Sequence, residues 1–342
     1  MEKQVFWQQR FDSIQILRGL AALLVVTEHI RWMNRGAFGV DVFFVISGFM
    51  MMLSTQKSRT HFWRKRLLRI LPPYYLLTLL TYVLLLLFPN MFEQTSGNPL
   101  YLVKSLLFIP FDVGGGVLQP IYRIGWTVNC EMFFYLLFGI AMHISFRFRG
   151  IICTGFLLGI TALAWWLPRS FAPVTFYGAP VMLEFALGMG LYEVAKKLYD
   201  MSLDVSTQSN RWMKMMSLCC IAAGVGVLVY MVLTKQQVNI LGFGRLIYWG
   251  VPAAFCVLLF FLGGLFLSMP KPLVGLGDMS YSIYLVHYFP ILLLDRYVLT
   301  MTDNRLLLAG ISIIGIGVVL VLARGFYKLI EKRGKGIMTS FR

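Results

Sequence analysis

Long apolar runs separated by short polar segments follow one another along nearly the whole chain. A helix that crosses a bilayer needs about 20 mostly apolar residues, and runs of about this length are bounded by charges, Pro or Gly. The predicted spans lie near 14–33, 37–54, 71–89, 124–145, 150–167, 179–195, 214–233, 248–268, 277–297 and 306–330. The pattern predicts an all-α, polytopic membrane protein with about ten transmembrane helices.

Composition supports this prediction. Of the 342 residues, 58% are apolar and only 13% are charged, whereas a soluble domain has about 25% charged residues. These values exclude a soluble globule, a disordered chain and a disulfide scaffold. No repeat or low-complexity linker interrupts the chain, so we expect a single transmembrane domain over 1–342 with no appended soluble domain. The N-terminus lacks the pattern of a cleaved signal peptide, so the first apolar run is expected to remain as a span.

The net charge of +16 could indicate nucleic acid or membrane topology. With the N-terminus inside, twenty of the 31 Lys and Arg residues fall in cytoplasmic segments and nine fall on the opposite side. Basic residues collect in cytoplasmic loops and near anionic membrane lipids. The charge therefore predicts that both termini are cytoplasmic, and no nucleic-acid partner is needed to explain it.

The five cysteines form no CxxC pair and lie near no histidine at metal-ligand spacing. We interpret them as small buried side chains rather than metal or redox groups, and expect no metal site. They are Cys130, Cys153, Cys219, Cys220 and Cys256.

Ionisable residues inside the predicted spans are candidates for function. Inserting one costs about 2.5–3.5 kcal/mol, so such a residue needs a role or a partner. The alternative is that some of them pair with one another to hold helices together. The candidates are Arg18, His29, Glu131, Glu184 and His287, with Glu28 and Asp41 near the outer ends of their spans.

Arg18 and His29 are eleven residues apart, which places both on one helix face about 16 Å apart along the axis. This face would offer a cation near the cytoplasm and an imidazole deeper in the membrane. Such an arrangement suits an anionic carrier with its reactive end on a long arm, and histidine can act as a general base toward a hydroxyl. The spacing alone leaves open a structural arginine and a core histidine.

Arg66 and Arg69 lie on one face of a predicted interfacial helix that Pro72 and Pro73 end or kink. Guanidinium groups bind phosphates bidentately, so the pair could hold a phosphorylated donor at the cytoplasmic surface. An ordinary positive-inside anchor is the alternative.

Two further spans carry polar residues. In the fourth, Glu131 follows Trp126 and could orient an imidazolium, or serve as a structural ion-pair partner. In the ninth, Ser280, Tyr284 and His287 fall on one face, which predicts a polar stripe lining a cavity or another polar helix. Glu184 precedes Gly188 and Gly190, so we assign it to close helix packing.

Taken together, five segments resemble the acyltransferase 3 family of integral membrane acyltransferases, and within it the exopolysaccharide O-acetyltransferases. They occur in the family's order from about residue 14 to 287: LRGLAALLVVTEH, FGVDVFFVISGFMM, RLLRILPPYY, WTVNCEMFFY and LGDMSYSIYLVH.

The resemblance implies transfer of an acyl group, most simply acetyl, from cytoplasmic acyl-CoA to a hydroxyl of an extracytoplasmic or lipid-linked glycan at the bacterial inner membrane. It implies that His29 is the catalytic histidine, assisted by Glu131. Arg18, Arg66 and Arg69 would bind acyl-CoA. The expected acceptor contacts are Asp41, Trp126, Ser280, Tyr281 and His287.

The chain departs from the family pattern after Trp126, where Thr127 replaces the usual serine and Asn129 and Cys130 stand at positions often filled otherwise. These changes bear on the acceptor rather than on the reaction. A transporter of a charged solute or lipid-linked sugar is the alternative function. It would be favoured by inverted repeats or paired broken helices, and the sequence shows neither.

Overall fold

A computed structural model describes residues 10–89, 97–168, 171–205, 210–234, 238–239 and 242–332. Within these residues the regular secondary structure is helical, apart from one β-bridge between Asp112 and Leu118. The all-α prediction is confirmed. Both chain ends lie outside the described residues, as do Arg169 and Lys235 of the charge count, so the cytoplasmic placement of the termini stays a prediction.

The α-helices are α1 (Asp12–Glu28), α2 (Gly39–Ser54), α3 (Phe62–Leu87), α4 (Pro99–Leu106), α5 (Trp126–Ile144), α6 (Arg149–Trp166), α7 (Ala172–Tyr177), α8 (Leu183–Val205), α9 (Asn210–Thr234), α10 (Phe243–Arg245), α11 (Val251–Gly263), α12 (Lys271–Asp278), α13 (Ser280–Val286), α14 (Tyr288–Tyr297) and α15 (Arg305–Phe326). A π-helical turn, Leu246–Gly250, joins α10 to α11, and a second one, Tyr327–Glu331, extends α15.

Six of the described helices are long and apolar enough to cross a membrane, and a bent pair would make a seventh. The polytopic membrane prediction is confirmed. Each predicted span overlaps at least one helix, and the ninth overlaps three. The helices α1 and α2 have 17 and 16 residues and are shorter than the six. The total of ten spans stays a prediction.

The third helix differs from its prediction. Arg66 and Arg69 belong to α3 itself, which runs through Pro72 and Pro73 without ending. Interior prolines remove helical hydrogen bonds, but the two tyrosines that follow them fix this segment. Tyr74 donates to the Ser105 carbonyl at 2.9 Å and Tyr75 to the Leu106 carbonyl at 3.0 Å. The prediction of a separate interfacial helix was wrong because tertiary contacts outweigh the local effect of the prolines.

The ninth predicted span is not one helix. Residues 277–297 contain the end of α12, all of α13 and all of α14. The axis bends by 41° between Ser280–Val286 and Tyr288–Met301. His287 lies at this bend, so its backbone joins two short helices.

The cysteine prediction holds only in part. Cys130, Cys153 and Cys256 are buried and form no disulfide, but Cys219 is exposed and Cys220 is half-buried. Both of these lie on α9, and most of the surface of this helix is not covered by other parts of the protein.

The chain forms two compact units. The first comprises the residues up to Ser58 together with Glu184–Arg324, and the second comprises Arg59–Leu183 with the residues from Gly325. The core of the first unit is formed by α1, α13, α14 and α15, through residues such as Val26, Ile283, Ile291 and Val319. In the second unit, Phe133 of α5 stacks on Tyr177 of α7 at 4.0 Å between ring centroids.

Glycines allow two close helix contacts in the first unit. A Cβ on Gly277 of α12 would lie 1.9 Å from the Gln15 carbonyl oxygen of α1, and Gly19 faces the same segment. A Cβ on Gly188 of α8 would lie 2.0 Å from the Val45 carbonyl oxygen of α2. The predicted close packing of helices near Glu184 is confirmed at Gly188. A Cβ on Gly190 would have no atom within 4 Å.

We expect Gly277→Ala to destabilise the protein by about 1–3 kcal/mol, because the new methyl group would force α12 away from α1. Gly275→Ala is the matched control, since it lies on the same helix with nothing within 4 Å. The measurement is thermal unfolding of the detergent-solubilised protein. Equal stability of the two variants would contradict the close contact.

Candidate functional site

Two histidines from distant parts of the sequence meet in the first unit. His29 caps the C-terminal end of α1, and His287 lies at the bend between α13 and α14. Their ring centroids are 4.8 Å apart, and His287 Nε2 lies 3.3 Å from His29 Nδ1. His287 is fully buried, whereas His29 is half-buried. The sequence predicted both residues but not their contact.

Backbone carbonyls determine which nitrogens carry protons in the neutral rings. His29 Nδ1 lies 2.9 Å from the Val25 carbonyl oxygen, and His287 Nδ1 lies 2.5 Å from that of Tyr284. A carbonyl oxygen can only accept, so we assign the proton to Nδ1 in both rings. His287 Nε2 then accepts from the Nδ1–H of His29, which leaves the lone pair of His29 on Nε2. A neutral imidazole nitrogen of this kind is a general base.

Ion pairs at both ends of α1 connect it to the broken helix, which consists of α12, α13 and α14. Arg10 donates through Nη2 to both oxygens of Asp278, at 2.9 and 3.0 Å. Beyond the other end of α1, the Arg31 backbone N–H donates to Asp295 Oδ1 at 3.1 Å, and Arg31 Nε lies 3.3 Å from Oδ2. These contacts and the Gly277 contact together position His287 beside His29.

The predicted polar stripe on the broken helix lies inside the protein. Ser280, Tyr284 and His287 are all buried. Among the described residues, no group hydrogen-bonds the Ser280 hydroxyl. The neighbouring Tyr281 is half-buried. The assignment of Ser280, Tyr281 and His287 to the acceptor stays a prediction.

Arg18 lies on α1 eleven residues before His29. A helix of this length separates the two positions by about 16 Å along its axis. Arg18 is half-buried, and its Nη1 donates to the neutral side chain of Gln15 at 3.3 Å.

Asp41 forms a buried ion pair that the sequence did not reveal. Arg245 donates from Nε to Oδ1 and from Nη2 to Oδ2, both at 2.9 Å. Exposure of the two side chains is 0% for Asp41 and 3% for Arg245. The charge count placed Arg245 outside the membrane spans, but it is buried inside the first unit. The assignment of Asp41 to the acceptor stays a prediction.

In the second unit, Arg66, Glu131 and Tyr135 form a cluster between α3 and α5. Tyr135 donates its hydroxyl proton to Glu131 Oε1. The Arg66 guanidinium lies 5.7 Å from the centre of the Tyr135 ring. Arg66 is half-buried, and its Nε atom is buried between the two helices. Tyr135 was missed, although its place four residues after Glu131 puts both on one helix face.

The other candidates of the second unit have a similar exposure. Arg69 is half-buried on α3, one turn after Arg66, and Trp126 is half-buried at the start of α5. Within the residues that the structure describes, no group of three or more His, Cys, Asp or Glu side chains could hold a metal ion.

Comparison with known proteins identifies the family. A family model described as an acyltransferase domain matches residues 11–324. The exopolysaccharide production protein ExoZ of Rhizobium meliloti is 32% identical over 265 residues, which cover 75% of this chain and 77% of ExoZ. No solved structure matches the chain.

Two O-acetyltransferases are also similar. OatA of Staphylococcus aureus is 27% identical over 82% of this chain and 50% of its own length. The peptidoglycan O-acetyltransferase OatA of Listeria monocytogenes is 23% identical over 96% of this chain and 57% of its own length. The chain thus spans about half the length of these two relatives.

These matches favour the enzyme over the transporter considered above. The family model covers both compact units and includes the paired histidines, the buried Asp41 and the Arg66 cluster. The chain belongs to the acyltransferase 3 family and is a membrane O-acyltransferase.

Proposed function

We propose that this enzyme transfers an acetyl group from acetyl-CoA to a hydroxyl of a polysaccharide or of its lipid-linked precursor, and that His29 Nε2 is the general base. The observation that carries the proposal is the hydrogen bonding of His29, whose Nδ1 faces a carbonyl and a second imidazole. The relatives named for exopolysaccharide production and O-acetylation support a glycan acceptor. We also propose the bacterial inner membrane as the location, with acyl-CoA supplied from the cytoplasm.

The proposed reaction begins when His29 Nε2 takes the proton of the sugar hydroxyl. The oxygen attacks the thioester carbonyl, and the tetrahedral intermediate collapses with the CoA thiolate as leaving group. The thiolate then receives the proton from the imidazolium, so the ester and free CoA thiol are formed without any other reactant. Trapping labelled protein from acetyl-CoA without acceptor would instead indicate an acyl-histidine relay.

His287 supports this role by accepting from Nδ1 of His29. As His29 becomes positively charged, Val25 O and His287 Nε2 both face the proton on Nδ1 and stabilise the imidazolium. We therefore propose that His287 is a positioning residue for His29. A histidine base held in one tautomer by a neighbouring acceptor is a familiar arrangement in hydrolases.

For the donor we propose guanidinium contacts with the phosphates of acyl-CoA. Arg18 lies about 16 Å along the α1 axis from His29, which suits an arginine that binds the phosphate end of acyl-CoA. Arg69 is half-buried near the start of α3. Arg66 lies against Tyr135 beside Glu131, so we assign Arg66 and Glu131 to maintaining the α3–α5 contact within the second unit.

We expect His29→Ala to lower glycan O-acetylation by about 10²–10⁴-fold, because the base is lost. The measurement is acetylation of surface glycan in cells, with the abundance of the protein in membranes determined in parallel. The control is His143→Ala, an exposed histidine at the end of α5. Unchanged acetylation by His29→Ala at equal abundance would refute the catalytic assignment.

His287→Phe should lower kcat by about tenfold with KM for acetyl-CoA unchanged, because one hydrogen bond to His29 is lost. His287→Gln should retain more activity, since its amide oxygen can also accept. Purified protein with a soluble sugar acceptor provides the measurement. Equal loss in both variants would argue for a purely structural role.

Arg69→Gln should raise KM for acetyl-CoA about tenfold or more at constant kcat, because a charged phosphate contact is removed. Arg66→Gln should mainly reduce the amount of folded protein, since Glu131 would lose a neighbouring cation. Kinetics and size-exclusion chromatography separate the two effects. A raised KM in Arg66→Gln at full stability would place Arg66 at the donor instead.

A further inference from the structure

Three buried charged side chains of the first unit lie outside the histidine site. Asp41 is in the first turn of α2, Glu184 is in the first turn of α8, and Arg245 directly precedes the π-helical turn. All three residues are buried. Among the described residues, the charged side chains that act on Glu184 are those of Asp41 and Arg245.

The two carboxyl groups are not equivalent. Asp41 accepts from two nitrogens of Arg245 in a bidentate pair. Among the described residues, no group hydrogen-bonds either oxygen of Glu184. One guanidinium therefore faces two carboxyl groups, and it donates two hydrogen bonds to Asp41.

The surroundings keep this cluster away from solvent. The Arg245 guanidinium lies 5.1 Å from the centre of the Trp249 ring. A Cβ on Gly250 would lie 3.0 Å from Glu184 Cγ and 3.1 Å from Oε1, so the backbone of the π-helical turn passes directly over this side chain. Tyr248 of the same turn is exposed.

Charge balance then determines the protonation state. A buried charge without a partner is strongly unfavourable, and such a group becomes neutral instead. The helix dipoles of α2 and α8 favour negative charge near Asp41 and Glu184, but a dipole effect is much smaller than the penalty for an unpaired buried carboxylate. With one cation beside them among the described residues, only one of the two carboxyl groups can stay ionised.

We propose that Asp41, Glu184 and Arg245 form a proton-binding site, in which Glu184 carries the proton and the cluster as a whole is neutral. The cluster joins the first turns of α2 and α8 to the π-helical turn. Loss of the proton would leave two carboxylates facing one guanidinium and weaken this junction. The site is therefore a pH-sensitive element of the first unit, stable at neutral pH and weakened in alkali.

The first test uses the full chain in lipid nanodiscs. Infrared spectra of the wild type should contain the carbonyl stretch of a protonated carboxyl group, and Glu184→Gln should lack it. Thermal stability of the wild type should fall between neutral and alkaline pH, and Glu184→Gln should lose this decrease. The matched control is Glu193→Gln, an exposed glutamate on the same helix, which should behave as the wild type. A spectrum unchanged by Glu184→Gln would overturn the proposal.

Double variants test the location of the proton without relying on Glu184→Gln alone. Arg245→Met should lose most of its folded, monodisperse fraction, because Asp41 is left without its cation. Adding Asp41→Asn should restore that fraction, whereas adding Glu184→Gln should not, since Glu184 is already neutral. Equal rescue by both substitutions would mean that the proton is shared, and rescue by Glu184→Gln alone would place it on Asp41. Either result would contradict the assignment.

Discussion

The backbones of α1 and α12 meet at Gly19 and Gly277, and the geometry of the first unit depends on this contact. With no side chain between them, the broken helix lies against α1 closely enough for its bend to reach the end of α1. The ion pairs of Arg10 and Arg31 then fix the two elements along their length. The histidine contact follows from this packing, since His287 is at the bend and His29 is at the helix end.

Much of this architecture is readable from sequence because long apolar runs have few structural options in a membrane. The predicted boundaries of the helices near 37–54, 124–145 and 214–233 agree with the structure to within a few residues. His29 and His287 stood out because an ionisable side chain is unusual at such depth. Their contact was not predicted, because it depends on a bend at His287. Pro290 is a local signal for this bend, since a proline clashes with the carbonyl four residues before it, but the sequence does not show which helix the bend would face.

The errors share one physical cause, which is that local rules ignore tertiary partners. Pro72 and Pro73 suggested an end to the helix, but the tyrosine contacts with α4 fix α3 at this point. Arg245 was counted with the loops because it precedes the predicted span 248–268, yet it is buried against Asp41, which lies 204 positions away. Tyr135 was missed for a different reason. Its position four residues after Glu131 is visible in the sequence, but its hydroxyl was not considered as a hydrogen-bond donor to that carboxylate.

The histidine pair has a further electrostatic consequence. Its hydrogen-bond acceptors are a main-chain carbonyl and a neutral ring, whereas serine hydrolases place a carboxylate behind the histidine. The resting pair therefore carries no net charge, which spares the protein the burial of a permanent anion in a low-dielectric setting. In the proposed reaction, charge would arise only during turnover, as an imidazolium and an oxyanion formed together. Such a pair attracts strongly where water is scarce, so the site favours a reaction in which the two charges appear and vanish in the same step.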